Sequence, residues 1–307
     1  MKVLITGGAG FIGSHLVRRL QQAEVETAVL DNLSTGLREN LPEGTELAEM
    51  DVCSEGLENI VAVGNFDAIV HLAGQTMVNS SIEDPAFDAE QNILGTIRVL
   101  EAARKNNVQR VVFASTAASY GNVREADLPV KESKPLAPMS FYGLSKITVE
   151  RYLEMYHHIF GLDYVVLRFA NVYGERQGDG GEGGVISIFA KAIAQQKEIT
   201  IFGDGEQTRD FIYAGDIADG ILAALTTEQA NAAYNLSTQT ETSLRELVNI
   251  LSNIAGRKII PKYGPERAGD IYKSMLSNAR ARRGLNWKPQ IPLEEGLRRT
   301  YEHFVGK

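Results

Sequence analysis

Tyr142 and Lys146 have the residue types and the spacing of an acid–base pair. They lie four residues apart in the segment 140–146, and positions i and i+4 of a helix share one face. The Lys146 ammonium can therefore lie beside the Tyr142 phenol and favour its phenolate form. A phenol has a pKa of about 10, so a base near neutrality needs roughly 4 kcal/mol of phenolate stabilisation, more than one charge in open water supplies. We interpret Tyr142 as a candidate general base, with an ordinary helix-surface pair as the alternative.

A glycine-rich turn lies near the start of the sequence, after the first predicted strand. Gly7, Gly10 and Gly13 follow the strand-like residues 2–6 and precede a helical pattern over residues 14–22. Because glycines carry no side chain, they let backbone amides and the N-terminus of the helix approach a pyrophosphate. With the strand, the helix and a following acidic residue in place, the pattern predicts a dinucleotide site, and a simple tight turn is the alternative.

Asp31 ends the second predicted strand and bears on the choice of cofactor. An acidic residue at this distance from the glycines accepts hydrogen bonds from the adenosine ribose hydroxyls, and its charge would repel a 2′-phosphate. NAD is therefore expected rather than NADP, although Arg38 lies nearby. Asp31 could instead simply begin a turn. The positive ring of oxidised nicotinamide would also help Lys146 to stabilise a phenolate.

The composition excludes several function classes. A chain of 307 residues that is 44% hydrophobic can bury a sizeable core. A net charge of −8 argues against nucleic acid or an anionic membrane as the main partner. The single cysteine, Cys53, excludes an intrachain disulfide, and the Cys and His residues lack the spacing of a metal site. With no predicted signal region or membrane-spanning stretch, we expect a soluble cytoplasmic protein without metal.

Short apolar runs alternate with longer helical patterns along the first half of the chain. Strands are predicted near residues 2–6, 27–31, 46–50, 68–72, 110–115 and 164–169, and helices near 14–22, 91–106 and 142–160. Such repeated β-α units predict the α/β class, with a doubly wound parallel sheet and helices on both faces.

A change in amino-acid composition after Gly174 predicts a second structural unit. Residues 175–184 contain five glycines and several charges before a new helical pattern begins. We therefore expect residues 1–174 to form the NAD-binding domain, to which residues 204–230 return. Residues 175–203 and 231–307 are expected to form a smaller substrate-binding lobe.

Several motifs in register give the chain a family resemblance. They are the glycine turn, Asp31, the segment 71–74 (His-Leu-Ala-Gly), the segment 115–121, the Tyr142 and Lys146 pair, and the segments 168–174 and 203–213. With these motifs the chain resembles the extended short-chain dehydrogenases/reductases, and among them the UDP-glucose 4-epimerases, nearly end to end. The resemblance implies a Rossmann domain, bound NAD and a UDP-sugar substrate.

The resemblance also implies roles for individual residues. Tyr142 would take the proton of the sugar 4-hydroxyl, Lys146 would activate it and bind the nicotinamide ribose, and Thr116 would orient the same oxygen. Asp51 and Val52 are expected at the adenine edge. The residues predicted to contact the cofactor are Gly7, Gly10, Phe11, Ile12, Gly13, Asp31, Asn32, Asp51, Val52, Leu72, Ala73, Gly74, Asn92, Tyr142 and Lys146.

Ala117 and Ala118 help to choose the reaction. Related 4,6-dehydratases carry Asp-Glu after the threonine, and related decarboxylases keep a Glu, whereas this chain has two alanines. Methyl groups cannot perform acid–base work. The sequence therefore disfavours dehydration and favours epimerisation, in which hydride leaves C4 and returns to the opposite face of a 4-keto sugar.

The resemblance places the substrate on five further residues. Arg209 and Arg267 would hold the diphosphate with Asn171, a role that suits guanidinium geometry. Asp270 would bind the uridine ribose. Ser274 falls where a tyrosine restricts some epimerases to unsubstituted glucose and galactose, so its small size predicts acceptance of N-acetylated hexoses. For Arg209, Arg267, Asn171 and Asp270, the alternative is a surface ion pair or a cap.

Other functions stay open at this point. A UDP-glucuronate 4-epimerase or an NAD(P)H-dependent reductase of nucleotide 4-keto sugars would share most of these motifs. A non-catalytic NAD sensor would keep the glycine turn but would not need Thr116, Tyr142 and Lys146 together. The family also pairs subunits through the helices near 91–106 and 142–160, so we expect a homodimer.

Overall fold

A computed structural model describes residues 1–178, 183–266 and 271–306. The strands are β1 (Lys2–Thr6), β2 (Glu26–Asp31), β3 (Glu46–Glu49), β4 (Ala68–His71), β5 (Arg110–Thr116), β6 (Asp163–Phe169), β7 (Asn171–Tyr173), β8 (Thr200–Phe202), β9 (Thr208–Arg209), β10 (Phe211–Tyr213), β11 (Ala232–Leu236), β12 (Thr242–Ser243) and β13 (Lys262–Gly264).

The helices lie between these strands along the chain. They are α1 (Phe11–Gln22), α2 (Leu57–Gly64), α3 (Val78–Glu83), α4 (Pro85–Ala89), α5 (Gly95–Lys105), α6 (Phe141–Phe160), α7 (Val185–Ala194), α8 (Ala214–Thr226), α9 (Leu244–Ile254), α10 (Ala279–Gly284) and α11 (Leu293–Val305). Short 3-10 turns cover Arg38–Asn40, Ala117–Tyr120 and Glu125–Asp127, and a π-helical turn covers Glu90–Leu94.

The main sheet has seven parallel strands in the order β11-β6-β5-β4-β1-β2-β3. The chain winds outward from β1 in both directions, which confirms the predicted doubly wound α/β class. In the register of the sheet, Thr6 lies opposite His71 and Thr116 opposite Phe169. The carboxyl ends of β1, β4 and β5 therefore meet at one edge, where such sheets bind their ligands.

Helices bury both faces of this sheet. The central strands are continuous apolar runs because neither of their faces meets water: Val3, Leu4 and Ile5 of β1 are fully buried. One core cluster joins these strands to α1 and α8, and a second joins them to α2, α5 and α6. The two cores fix the helices that begin at the carboxyl edge.

A third cluster of buried residues lies in the second half of the chain. It joins α7, α9 and α11 to β7, β8 and β10. β10 pairs with β7 and not with the main sheet, whereas Ala232–Leu236 forms the edge strand β11 beside β6. The expectation that put residues 231–307 in the smaller lobe differs from this for Ala232–Leu236, whose backbone pairs in parallel with residues 165–169 of β6.

All three predicted helix starts differ from the sequence pattern, and α1 begins at Phe11 instead of residue 14. α6 begins at Phe141, because the Ser140 hydroxyl caps it by accepting a hydrogen bond from the Gly143 amide at 3.1 Å. The pattern over residues 91–106 is interrupted by the π-helical turn before α5 begins at Gly95. Single π-helical turns inside helices are frequent at functional sites, and this one contains Asn92.

Candidate active site

A cleft of about 1210 Å³ opens at the carboxyl edge of the sheet. Its walls come from the glycine turn, the segments after β4 and β5, the start of α6 and the β7–β10 region. Of the described predicted residues, those that line it are Gly7, Gly10, Phe11, Ile12, Gly13, Asp31, Asn32, Val52, Leu72, Ala73, Gly74, Thr116, Tyr142, Lys146, Asn171, Arg209 and Ser274. Asp51 and Asn92 are not among the lining residues, although both contact residues that are.

The glycine turn holds its backbone too close to its neighbours for side chains. Gly7 has a φ of +72°, and a Cβ there would lie 2.7 Å from the Ala73 nitrogen. A Cβ on Gly13 would lie 2.2 Å from the Gly7 oxygen. The turn is therefore tightly packed up to the N-terminus of α1, where Gly10 is the N-cap residue. This backbone cradle fits a pyrophosphate.

Asp31 is a buried carboxylate at the end of β2. Its oxygens accept hydrogen bonds from the Ala9 and Leu33 amides, both at 2.9 Å. Burial raises the pKa of Asp31, although backbone amides, including that of Gly10, oppose the shift. Each carboxylate oxygen has more than one acceptor site, so Asp31 can order the glycine turn and still accept from a ribose hydroxyl.

Asn32 and Asp51 are joined at the far end of the cleft. The Asn32 amide donates to Asp51 at 2.7 Å, and the other oxygen of Asp51 accepts from the Cys53 amide at 2.7 Å. Val52, between Asp51 and Cys53 in the sequence, is buried and lines the cleft. Asp51 therefore positions this wall, and the apolar side chain of Val52 suits the face of a flat ring.

Lys146 is buried where α6 crosses the end of β5. Its Nζ donates to the Ala114 carbonyl at 3.1 Å and lies 4.9 Å from the centre of the Phe113 ring. Burial lowers the pKa of Lys146 to about 8, while the Asp88 carboxylate opposes the shift. Lys146 therefore keeps its charge at neutral pH and loses it as the pH rises through about 8.

Tyr142 and Thr116 face the same part of the cleft. The Lys146 nitrogen lies 5.9 Å from the centre of the Tyr142 ring, one helical turn away. Thr116 ends β5, and its hydroxyl oxygen accepts from the Ala118 amide at 3.1 Å, which leaves the hydroxyl hydrogen to be donated. Ala117 and Ala118 line the cleft beside it. The structure therefore brings together the three residues predicted to act on the substrate.

Asn92 presents an unpartnered acceptor to this site. Its amide nitrogen donates to Gln75 O at 3.0 Å, Asp88 Oδ1 at 3.0 Å and Ser145 Oγ at 3.2 Å. Its Oδ1 is buried without a hydrogen-bond partner in the described part of the chain. A Cβ on Gly74 would lie 2.4 Å from that oxygen and 3.8 Å from Lys146 Nζ. A buried acceptor needs a donor, so the site fits a bound group with hydroxyls or an amide.

His71 braces the cleft from inside the sheet. Its ring nitrogens bond Thr6 at 2.7 Å and Thr96 at 2.9 Å, and the Ala73 amide donates to the same Thr6 hydroxyl at 3.4 Å. Burial, with help from the Lys146 charge, lowers the pKa of His71 to about 3. A neutral His71 therefore joins β1, β4 and α5.

Three predicted substrate residues line the opposite side of the cleft. Asn171 is exposed there at the start of β7. Arg209 donates from Nη1 to the Thr208 carbonyl at 2.8 Å, and Ser274 lies on the wall beyond it. Arg267 and Asp270, the other two predicted residues, lie outside the described residues.

The structure adds residues that the sequence interpretation missed. Lys273 lines the cleft beside Ser274 and forms an ion pair with Glu125; its position next to Ser274 was the available signal. Asp210 is fully buried, and burial raises its pKa to about 6 against the hydrogen bonds it accepts. Those bonds come from the Thr238, Gln239 and Leu276 regions, so Asp210 ties together the loops around Arg209 and Ser274.

The described residues contain neither a metal-binding cluster nor a membrane-spanning helix. Within residues 1–178, 183–266 and 271–306, no group of three or more His, Cys, Asp or Glu side chains could hold a metal ion. Over the same ranges, no helix has the length and apolar character needed to cross a membrane.

Known proteins match nearly the whole chain. Residues 3–237 match the NAD dependent epimerase/dehydratase family. A UDP-glucose 4-epimerase of Mycolicibacterium smegmatis is 39% identical over 312 residues, covering 100% of this chain and 99% of its own. The structure of a Thermotoga maritima UDP-glucose 4-epimerase with UDP-glucose has a TM-score of 0.95 and 40% identity, covering 99% and 98% of the two chains. A Methanobrevibacter ruminantium UDP-N-acetylglucosamine 4-epimerase, solved with UDP-N-acetylmuramic acid, has a TM-score of 0.94 and 34% identity, with 99% and 98% coverage.

Proposed function

The chain belongs to the NAD dependent epimerase/dehydratase family, and on that premise we propose that it is a UDP-hexose 4-epimerase. The predicted family, the enzyme class and the NAD cofactor are confirmed. The reaction proposed is inversion at C4 of the hexose through a transient 4-keto sugar. The specific hexose and the residue roles below are proposals.

One observation carries the choice of reaction. Thr116, Tyr142 and Lys146 line one cleft with the glycine turn, and the two positions after Thr116 are the alanines Ala117 and Ala118. The site thus offers one general base and a hydroxyl donor, without a second acid–base pair beside them. Such a set can move the proton of a hydroxyl but cannot expel a neighbouring hydroxyl by acid catalysis.

The chain's own groups would act as follows. Tyr142 takes the proton of the 4-hydroxyl and later returns it, while Thr116 holds the same oxygen by a hydrogen bond. Lys146 stabilises the phenolate by its charge. NAD, when bound, supplies the site that accepts and returns the hydride. The glycine turn would hold the phosphates of NAD, and Asp31 would hold its ribose. Asn92 would bind NAD through Oδ1, the acceptor near Lys146 that has no partner in the described part of the chain.

Substrate binding is proposed for the opposite wall. Arg209 and Asn171 would contact the diphosphate, and Arg267 and Asp270 keep the roles that the family resemblance gives them. Arginine suits a diphosphate because its planar donors can bond two oxygens at once. Asp210 supports this wall because its carboxylate accepts a hydrogen bond from the Leu276 amide at 3.2 Å, which holds the loop that carries Leu276.

Ser274 supports a wider choice of hexose. Its small side chain lies on the wall of the cleft, where a larger residue would take up the room of an N-acetyl group. We therefore propose UDP-GlcNAc and UDP-GalNAc as substrates along with, or instead of, UDP-Glc and UDP-Gal. The similarity to the Methanobrevibacter ruminantium enzyme is in keeping with this proposal.

A second candidate, UDP-glucuronate 4-epimerase, is favoured by Lys273. This residue places an ammonium on the cleft wall next to Ser274, where a uronate carboxylate could take the place of Glu125. A carboxylate and an ammonium form strong charge-assisted hydrogen bonds. Lys273 would have no such partner on a neutral hexose.

We also propose a domain organisation, an oligomeric state and a cellular location for this protein. We propose that residues 1–174, with 204–230, hold the cofactor, and that 175–203 and 231–307 supply the substrate-binding lobe apart from β11. The working form would be a cytoplasmic homodimer. Its support is an exposed apolar stripe on α6 formed by Leu144, Tyr152, Met155 and Ile159, spaced along one helical face.

One experiment tests the function. Purified protein without added cofactor is incubated separately with UDP-glucose, UDP-GlcNAc and UDP-glucuronate, and the C4 epimers are measured by NMR. Conversion without added NAD supports an epimerase that regenerates its cofactor. Conversion of UDP-glucose alone would contradict the Ser274 argument, and turnover that consumes added NADPH or NADH stoichiometrically would make the protein a reductase.

A further inference from the structure

Asp88 is a buried carboxylate that the proposed mechanism does not use. It lies in α4 and is 1% exposed. A carboxylate with so little access to water is costly unless hydrogen bonds and opposite charge compensate for the lost hydration. Its surroundings therefore indicate what it does.

Two amides donate to one oxygen of Asp88. Gln75 Nε2 lies 2.9 Å from Asp88 Oδ1, and Asn92 Nδ2 lies 3.0 Å from the same oxygen. Gln75 belongs to the segment after β4 that lines the cleft, and its Nε2 also donates to the Met77 carbonyl at 2.9 Å. Asp88 thus ties a wall of the cleft to the π-helical turn.

The carboxylate also fixes which way the Asn92 amide faces. Asp88 Oδ1 and the Gln75 carbonyl can only accept hydrogen bonds, so they require the Asn92 nitrogen on their side. Ser145 joins this arrangement, since its hydroxyl donates to the Tyr142 carbonyl at 2.9 Å and accepts from Asn92. Asn92 Oδ1 must then point toward Gly74 and Lys146, where it has no partner in the described chain.

Charge gives a second reason, and the geometry beside it is that of Asn92, whose amide nitrogen lies 3.0 Å from Asp88 Oδ1 while its own oxygen lies on the side of Gly74 and Lys146. The ionisable groups that act on one another around Lys146 are His71 on β4, Tyr142 on α6 and Asp88 on α4. His71 is neutral at pH 7, because burial and the Lys146 charge lower its pKa to about 3. Against the burial of Lys146, Asp88 is the charge that raises the pKa of that lysine.

We propose that Asp88 is a positioning residue of this active site: it orients Asn92 and the Gln75 segment and places a fixed negative charge behind the Lys146 ammonium. This inference rests on the proposed function for its catalytic consequence. Its consequence for holding the cofactor depends only on the family's NAD site, which Asn92 Oδ1 faces.

Two variants separate orientation from charge. Asp88→Asn keeps an oxygen that can accept from Gln75 and Asn92 but removes the charge, whereas Asp88→Ala removes both. Glu90→Gln is the matched control, because Glu90 is exposed two residues away and loses the same charge. For each protein we would measure the NAD retained per subunit after gel filtration and the turnover of the best UDP-hexose as a function of pH.

The expected results differ for each protein. Asp88→Asn should retain NAD as the wild type does, but its loss of activity at alkaline pH should begin about one pH unit lower, which corresponds to about tenfold less turnover on that limb. Asp88→Ala should also lose most of its bound NAD. Glu90→Gln should match the wild type in both measurements.

Opposite outcomes would overturn the inference. An alkaline limb in Asp88→Asn that coincides with the wild type contradicts the charge, and full NAD retention by Asp88→Ala contradicts the orientation. If Asp88→Ala does not fold, Asp88→Asn still decides the charge, and Asp88→Leu decides the orientation. Failure of the proposed function would be seen separately, because the wild type itself would then convert no UDP-hexose while retaining NAD.

Discussion

Glu150, one helical turn after Lys146 in α6, forms a buried two-point ion pair with Arg168. Arg168 Nε lies 3.0 Å from Glu150 Oε1, and Arg168 Nη2 lies 2.5 Å from Oε2. Each residue is 5% exposed. The Ser115 hydroxyl donates to Glu150 Oε1 at 2.6 Å. Glu150 therefore joins α6 to β5 and β6 one helical turn beyond Lys146, and so fixes how α6 lies against Thr116.

Removing Glu150 should destabilise the protein strongly. Glu150→Ala leaves the Arg168 guanidinium buried without its carboxylate, and losing one partner of a buried pair costs about 3–5 kcal/mol. The free energy of unfolding in urea measures this. Glu154→Ala is the control: Glu154 is exposed and pairs with exposed Arg151 on the same helix, so it should change stability by less than about 0.5 kcal/mol. Equal losses in the two variants would contradict this account of Glu150.

Tyr142→Phe should abolish most turnover without releasing the cofactor. The ring and its packing beside Lys146 remain, but the group that takes the hydroxyl proton is gone, and general-base catalysis contributes about 10²–10⁴-fold. Turnover and retained NAD would be measured on the same preparation. Tyr152→Phe, at a partly exposed position of the same helix, should leave both unchanged. Full activity in Tyr142→Phe would remove Tyr142 from the mechanism.

The sequence predicts the parts of the site whose chemistry depends on local spacing. The glycine turn, the Tyr142 and Lys146 pair and the parallel sheet follow from short periodic patterns, and the structure brings these elements together at one cleft. Asp88 has no local signature, and the His-Leu-Ala-Gly segment marks His71 without indicating what it contacts. Their roles arise from contacts with residues far along the chain, as between His71 and Thr6.

Element boundaries show the same division. The pattern over residues 91–106 is helical throughout, yet the π-helical turn at Glu90–Leu94 interrupts it, because Asn92 is held by Asp88 and Ser145. The change in composition after Gly174 predicts that residues 231–307, and with them β11, belong to the smaller lobe, whereas the pairing of β11 with β6 is a long-range contact. Tertiary contacts of this kind override local preference.

His71 should make the folded state sensitive to mild acid. Its pKa is about 3 in the folded chain and about 6.5 when unfolded. The stability due to neutral His71 is therefore complete above about pH 6.5 and is lost as the pH falls toward 3. Between about pH 8 and about pH 5 this should amount to about 2 kcal/mol.

The comparison of wild type with His71→Asn isolates this effect. Asp210, whose pKa is raised to about 6, favours folding as the pH falls through that value, but it is present in both proteins and cancels. Urea unfolding at several pH values should show a gap between the two proteins that narrows from pH 8 to pH 5. A gap independent of pH would mean that His71 does not titrate as described.

Ser274→Tyr should narrow the substrate range. A phenol ring at this position would fill the part of the cleft proposed for an N-acetyl group, so turnover of UDP-GlcNAc should fall at least about tenfold, the loss expected for a clash of about 1.4 kcal/mol or more. UDP-glucose turnover should change by only a few fold. Ser274→Ala, which keeps the space, should convert both substrates as the wild type does. Intact UDP-GlcNAc turnover in Ser274→Tyr would contradict the proposed placement.

The α6 stripe should carry the contact between two copies of the chain. Met155 is 51% exposed and Ile159 59% exposed, one helical turn apart on the same face, and apolar residues exposed in a row favour a protein partner. Met155→Glu and Ile159→Glu should each weaken dimerisation at least about tenfold, because a charge would be buried without a partner. Sedimentation across a concentration series measures this. Val63→Glu is the control, since Val63 is 88% exposed on α2, away from the stripe, and should leave the dimer intact. A wild type that sediments as a monomer throughout the series would contradict the homodimer, and dissociation by Val63→Glu alone would place the interface on α2.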